Sequence, residues 1–424
     1  MRNAAVLFPG QGSQYVGMGK KIHEHYLAAR QVFEEASDSL QLDMRKLCFE
    51  ESSGELAKTE NTQPAVLTVG VAAFRVFMGQ TGLEPEYLAG HSLGEITALV
   101  CANSIKFADA VKLVRIRGKY MQEATMADFG AMLAVNGIDS CLVKEECDKA
   151  SKKGDAVVVS NYNSPLQTVI SGNRKAVEAA GKALASKGAG LVPLNVSAPF
   201  HSPFMKQAAE RLHAHLADLS FIKPEYPVVS NITAFPYINE SFIPDMLTSQ
   251  MLRPVQWVKS MKFLQQQGIE TFIDIGPNDV LKSLAIKNIE NANILSFDKD
   301  EETIDRLNER GNKGTPMEGE GKTGYVFIER CLAIAVCTPD NNSDEYSGES
   351  TYTCRGIKQL LAGLESGSAI PEIAQMKQSL DMLCNVFRIK NTPVQEQKNR
   401  LEVLLEETGT ANLFGNYILL LSDE

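Results

Sequence analysis

Short apolar runs alternate with longer stretches of helical period along most of this chain. Ala4–Phe8, Tyr87–Ala89, Pro227–Ile232 and Thr271–Ile275 have strand length and are rich in aliphatic residues. Between them, Ala65–Met78 and Phe107–Ala124 repeat apolar residues at helical spacing. Strands alternating with helices predict an α/β fold with a parallel sheet flanked by helices.

Residues 130–197 break that rhythm. Gly130–Val135 predicts a strand and Asp139–Ser151 a helix. Ala156–Asn161 and Gln167–Ser171 predict two strands joined by a turn at Asn163-Ser164-Pro165. Asn173–Ser186 predicts a helix and Leu191–Val196 a last strand. The order β-α-β-β-α-β is that of a ferredoxin-like unit. It interrupts the larger domain, and a cleft between two such parts is a common place for a ligand.

The pattern changes again near residue 311. Gly311–Gly321 has the composition of a linker. Tyr325–Val336 then predicts an apolar strand, and Ile357–Leu364, Ile370–Ile389 and Val394–Glu407 predict amphipathic helices. The expected division is a large domain of residues 1–128 and 198–300, with a small domain of 129–197. A linker of 301–324 leads to a mainly helical C-terminal appendage of 325–424.

Charge sharpens this division. The 424 residues carry a formal charge of −10, which argues against a nucleic-acid partner. Residues 301–424 hold 12 Lys/Arg against 20 Asp/Glu, so most of the acidity lies in the appendage. No run of eighteen apolar residues exists, so no membrane span is expected. The N-terminus is soon interrupted by Pro9 and Gly10, unlike a signal peptide. Eight scattered cysteines without a C-x-x-C pair predict reduced thiols in a cytoplasmic protein, and no metal site.

The candidate chemistry starts at Gly90-His91-Ser92-Leu93-Gly94. A G-x-S-x-G sequence between a predicted strand and a predicted helix is the setting of a nucleophile elbow, which leaves the serine hydroxyl exposed at a sharp turn. A serine needs a base, and the chain has six histidines. His91 lies inside the elbow, where its side chain is expected to point away from the nucleophile. His23/His25 and His213/His215 are two apart on helical patterns and diverge. His201, in the loop Ser197–Pro203, is either the base or a solvated loop histidine. Arg117 shares a helical stripe with Ala110, Val114 and Met121. A cation there needs a partner. That partner is either an internal carboxylate or solvent reached along the stem, or a carboxylate-bearing substrate. The loop Gly10-Gln11-Gly12-Ser13-Gln14 is a candidate source of an oxyanion-hole N–H beside that of Leu93. Gly321-Lys322-Thr323 imitates the end of a P-loop, but Pro316 stands where the first glycine belongs.

Together these residues resemble the malonyl-CoA:acyl-carrier-protein transacylase family over roughly residues 1–300. The resemblance rests on Gly10–Gln14, Thr62-Gln63-Pro64-Ala65, Gly90–Glu95 and Arg117-Gly118. It rests also on Asn161–Pro165, Phe200-His201-Ser202, and Gln250 before Pro254-Val255-Gln256-Trp257. It implies a hydrolase-like large domain with a ferredoxin-like small one. It implies Ser92 as acylated nucleophile and His201 as its base, held by the main-chain carbonyl of Gln250. Backbone N–H groups of Gln11 and Leu93 would form the oxyanion hole. Arg117 would pair with the malonyl carboxylate, and Gln63, Asn161, Phe200 and Gln250 would complete the substrate-binding site. Leu93 and Phe200 resemble the malonyl-selective pattern, implying weak use of methylmalonyl-CoA. No bound cofactor is implied: malonyl-CoA is the substrate, and the acceptor is the phosphopantetheine thiol of an acyl carrier protein.

The chain departs from a minimal family member after about residue 310. Its appendage resembles tails of discrete acyltransferases that serve polyketide synthases. The partners expected are therefore a carrier protein, docking at a basic patch near Arg115 and Lys119, and a synthase complex reached through the appendage. Two other readings compete. An editing acyl hydrolase on the same fold would use water and need no carboxylate clamp. A non-catalytic scaffold would need neither Ser92 nor His201.

Overall fold

The structure, a computed structural model, describes residues 3–50, 54–124, 129–151, 155–194, 198–300, 322–338, 356–357, 359–360, 373–408, 410–414 and 417. The chain forms two compact units, Met1–Asn312 and Lys313–Glu424.

The first unit is built on two sheets. Five parallel strands, β1 (Ala4–Phe8), β2 (Tyr87–Gly90), β7 (Val228–Val229), β8 (Thr271–Asp274) and β9 (Asn293–Ser296), lie in the order β7-β2-β1-β8-β9. Every residue of β1 is buried, as expected of a parallel strand covered on both faces. Alternation divides it: Ala4, Val6 and Phe8 join the core on one face, and Ala5 and Leu7 the core on the other. The helix Thr59–Thr81 is long and apolar enough to cross a membrane by length and composition. However, 83% of its most apolar window is buried inside the protein, which makes it a core helix.

The second sheet has strands β3 (Gly130–Asn136), β4 (Val157–Ser164), β5 (Gln167–Asn173) and β6 (Gly190–Pro193) in the order β4-β5-β3-β6, all antiparallel. The helices Ser140–Ala150 and Arg174–Ala185 bury Val143, Cys147, Val177 and Leu184 against it. The expected ferredoxin-like order is present. β4 reaches Ser164, so Pro165 and Leu166 make the turn. β6 ends at Pro193, and Asn195-Val196 lie outside the described residues.

Two expected strands need correction. Pro227–Ile232 is a strand only at Val228–Val229, because Asn231 turns out of the ladder to bond the elbow. Tyr325–Val336 is not a strand: it belongs to the helix Lys322–Cys337. An apolar run of that length without alternation suits a helix buried among helices. Its Phe327, Cys331 and Ala335 join Leu380, Leu383, Phe387, Leu401 and Leu404 in a core of the second unit's own. That helix also takes in the last three residues of the expected linker 301–324, whose remainder lies outside the described residues. The helices Ile373–Ile389 and Val394–Glu407 match the amphipathic pattern. Of Ile357–Leu364, only residues 357, 359 and 360 are described, all helical.

Candidate active site

The elbow depends on three close backbone approaches. A Cβ on Gly90 would lie 1.9 Å from the carbonyl carbon of Gly94, and one on Gly94 would lie 1.9 Å from the carbonyl oxygen of Phe8. A Cβ on Gly10 would lie 2.5 Å from the carbonyl oxygen of His91. Glycine at these points lets β1, β2 and the helix Leu93–Cys101 cross in contact. Ser92, at the apex, has φ 53° and ψ −107°. Such backbone strain clusters at functional sites.

The Ser92 hydroxyl lies 2.8 Å from Nε2 of His201, which reaches it from the loop after the small sheet. His201 Nδ1 lies 2.7 Å from the main-chain oxygen of Gln250. A carbonyl only accepts, so Nδ1 carries the proton and Nε2 faces Ser92 with a free lone pair. Burial, then the neighbouring Arg117 cation, lowers the His201 pKa to about 3. The imidazole is therefore neutral across the physiological range.

Arg117 is 1% exposed. Its guanidinium donates to Gln63 Oε1 at 2.9 Å, Gln250 Oε1 at 2.9 Å and Ser92 Oγ at 3.2 Å. Among the described residues no carboxylate forms an ion pair with it. Burial lowers its pKa to about 10, leaving it charged at neutral pH. A buried charged fork held by neutral amides, with one arm on the candidate nucleophile, can receive an anion at the reacting centre.

A cavity of about 320 Å³ opens on these groups. Gln63, Asn161 and Phe200 line it, whereas Gln250 does not: it is fully buried, with its side chain taken up by Arg117 and Glu95. β4 is stitched to the large domain beside it, with Tyr162 N–H donating to the Val255 carbonyl at 3.0 Å. Gln11 and Leu93 line it as well, and neither backbone N–H has an acceptor among the described residues. His91 bonds Asn163 Oδ1 at 2.9 Å and packs on Trp257, with no bond to Ser92 or His201.

The other histidines lie elsewhere. His23 packs between Phe33 and Phe49, His213 bonds Thr248, and His215 bonds Tyr120. Among the described residues no three His, Cys, Asp or Glu side chains are placed to hold a metal. In the proposed landing patch, Arg115 donates to the Leu40 carbonyl and Lys119 pairs with Glu123.

Glu95 was overlooked as a site residue. It is 1% exposed and accepts from the Tyr237 hydroxyl, the Gln250 amide at 2.6 Å and the Asn231 N–H at 3.2 Å. Asn231 in turn accepts from Ser92 N–H at 2.7 Å and donates to the Gly90 carbonyl at 2.6 Å. One buried carboxylate thus braces the elbow, and through Gln250 it reaches both Arg117 and His201. A signal existed: a lone charge in the apolar helix Leu93–Cys101, like that of Arg117 on its own stripe.

The chain's relatives match this geometry. Residues 6–307 match the acyl transferase domain family. A malonyl-CoA–acyl carrier protein transacylase of Bacillus subtilis is 45% identical over 291 residues, covering 69% of this chain and 72% of the relative. The chain belongs to the malonyl-CoA:acyl-carrier-protein transacylase family. The transacylase of Escherichia coli K12 is 45% identical over 285 residues, which is 67% of this chain and 92% of that one. Among solved structures, a malonyl-transacylase in complex with its type II polyketide synthase acyl carrier protein aligns with a TM-score of 0.70 at 38% identity. That alignment covers 72% of this chain and 99% of the transacylase. The transacylase match ends close to the limit of the first compact unit.

Proposed function

We propose that this acyltransferase moves a malonyl group from malonyl-CoA to the phosphopantetheine thiol of an acyl carrier protein. The observation that carries this is a neutral His201 aimed at Ser92, beside a charged Arg117 that forms no ion pair with a carboxylate among the described residues. Arg117 takes the malonyl carboxylate and sets the thioester carbonyl over Ser92. The serine oxygen attacks the carbonyl carbon while His201 Nε2 takes its proton. The N–H groups of Gln11 and Leu93 hold the oxyanion. Collapse breaks the C–S bond, and the coenzyme leaves as a thiol with the proton from His201. In the second half the carrier thiol gives its proton to His201 and attacks the malonyl ester. Ser92 leaves with that proton. The chain's residues supply every proton transfer, and no bound cofactor is needed.

Phe200 stands at the cavity wall, where its ring would crowd an α-methyl branch, so methylmalonyl-CoA is expected to be a poor donor. Comparable turnover of both thioesters would overturn that selectivity. The appendage belongs, in this reading, to docking on a polyketide synthase. The six described cysteines are free thiols, which supports a cytoplasmic setting.

The test is the intact mass after brief exposure to malonyl-CoA, with Ser92→Ala as control. One malonyl adduct, absent from the variant and passed to added carrier protein, is expected. Free malonate without an adduct would favour an editing hydrolase. Neither product would leave the scaffold reading.

A further inference from the structure

A second cavity, of about 430 Å³, lies between the helix Ser140–Ala150, the tip of the β4–β5 hairpin and the helix Trp257–Gln266. It is distinct from the catalytic cavity. Tyr162 and Ser164 line this one, while Asn161 and Asn163 of the same strand line the other. Several of its polar groups have no partner among the described residues. The hydroxyls of Ser140, Tyr162 and Ser164 and the amide of Gln256 make no hydrogen bond to any described residue, although Ser164 is only 3% exposed. Polar side chains on nearly buried residues ordinarily find partners, so an unpartnered hydroxyl on Ser164 at the cavity wall points to a ligand.

The charge selects the ligand. Lys144, Lys259 and Lys262 all line the cavity. Lys144 pairs with Asp148 at 2.7 Å, but Lys259 and Lys262 form no ion pair with a described residue. Among the described residues Asp139 is the only carboxylate on the wall, and it already accepts from Cys141 N–H at 2.8 Å. Ser140 opens one helix and Gln256 caps the other, so both helix dipoles present their positive ends here. Ammonium, hydroxyl and amide donors together match the acceptor oxygens of phosphate.

We propose that this cavity binds the phosphate groups of a nucleotide-sized ligand. The chemistry has two possible sources, the nucleotide end of a coenzyme thioester or a free nucleotide.

Trp257, the chain's only tryptophan, is buried next to the site in sequence. It stands between the lining residues Gln256 and Val258. Titrating the full chain with pyrophosphate and with adenosine 3′,5′-bisphosphate is expected to change its emission saturably. The exposed double variant Lys259→Gln, Lys262→Gln should weaken both affinities at least about tenfold without changing the melting temperature. A raised KM for malonyl-CoA in the variant, with kcat unchanged, assigns the site to the coenzyme. Unchanged KM together with lost bisphosphate binding assigns it to a free nucleotide. No saturable change with either probe, or equal affinity in the variant, would overturn the proposal. The fluorescence does not depend on acyl transfer, so its failure is separable from failure of the transferase reading.

Discussion

At Ser92 everything depends on one imidazole staying neutral. Burial and the Arg117 cation both disfavour charging His201, and the bond to Gln250 only partly opposes them. Half-protonation would come only near pH 3, so the rate of Ser92 acylation should be flat from about pH 5 to 8. Arg117→Ala removes the second cause, so the acid limb should move to higher pH while malonyl-CoA use falls. A pH profile of adduct formation in both proteins checks this. An unmoved limb would mean that Arg117 does not act on His201. Ser92 and Arg117 were legible because each breaks a local rule, a serine between obligatory glycines and a cation on an apolar stripe. His201 was legible mainly by elimination among six histidines. Asn231 and Tyr237 were not, because only tertiary contact brings their loop to Glu95.

At the scale of elements, the elbow and its neighbouring loop separate two kinds of glycine. Gly94→Ala drives a Cβ into the Phe8 carbonyl, and backbone cannot yield as a flexible side chain does. Gly12 has φ 103° with nothing within 4 Å, so Gly12→Ala meets only backbone strain, about 1–2 kcal/mol. Soluble yield and urea midpoint should show Gly94→Ala unfolded and Gly12→Ala folded with a lowered midpoint. Asp274 closes β8 and accepts from the Lys282 N–H at 2.9 Å, at the start of the helix Val280–Asn288. Its other oxygen is buried without a partner, and burial, the largest cause, raises its pKa to about 8. The folded state keeps a proton that the unfolded chain releases near pH 4. Its contribution to stability is therefore fullest below that pH and is lost as pH rises towards 8. Asp274→Asn keeps a carbonyl acceptor and should flatten the decline in urea midpoint between pH 5 and pH 8. Period-2 alternation made the small sheet readable. The helix Lys322–Cys337 was misread because a fully apolar run carries no period, and only its length speaks for a helix.

At the scale of the whole molecule, the question is what the second unit adds. Its core, with the side chains packed against it, draws only on residues between Phe327 and Tyr417. The three cores of the first unit draw only on residues up to Phe297. Every residue assigned to catalysis also lies in the first unit, as does all of the family match. A chain ending at Asn312 should therefore fold and form the malonyl–Ser92 adduct at the full-length rate. Loss of that adduct would show that the appendage completes the acyltransferase fold. Transfer to the carrier decides the rest. If the appendage docks the acceptor or its synthase, truncation raises the KM for the carrier and leaves kcat unchanged, because docking adds binding and no chemistry. Equal KM values, measured with the carrier free and with it joined to its synthase, would end the docking reading and leave residues 313–424 as an independent helical unit.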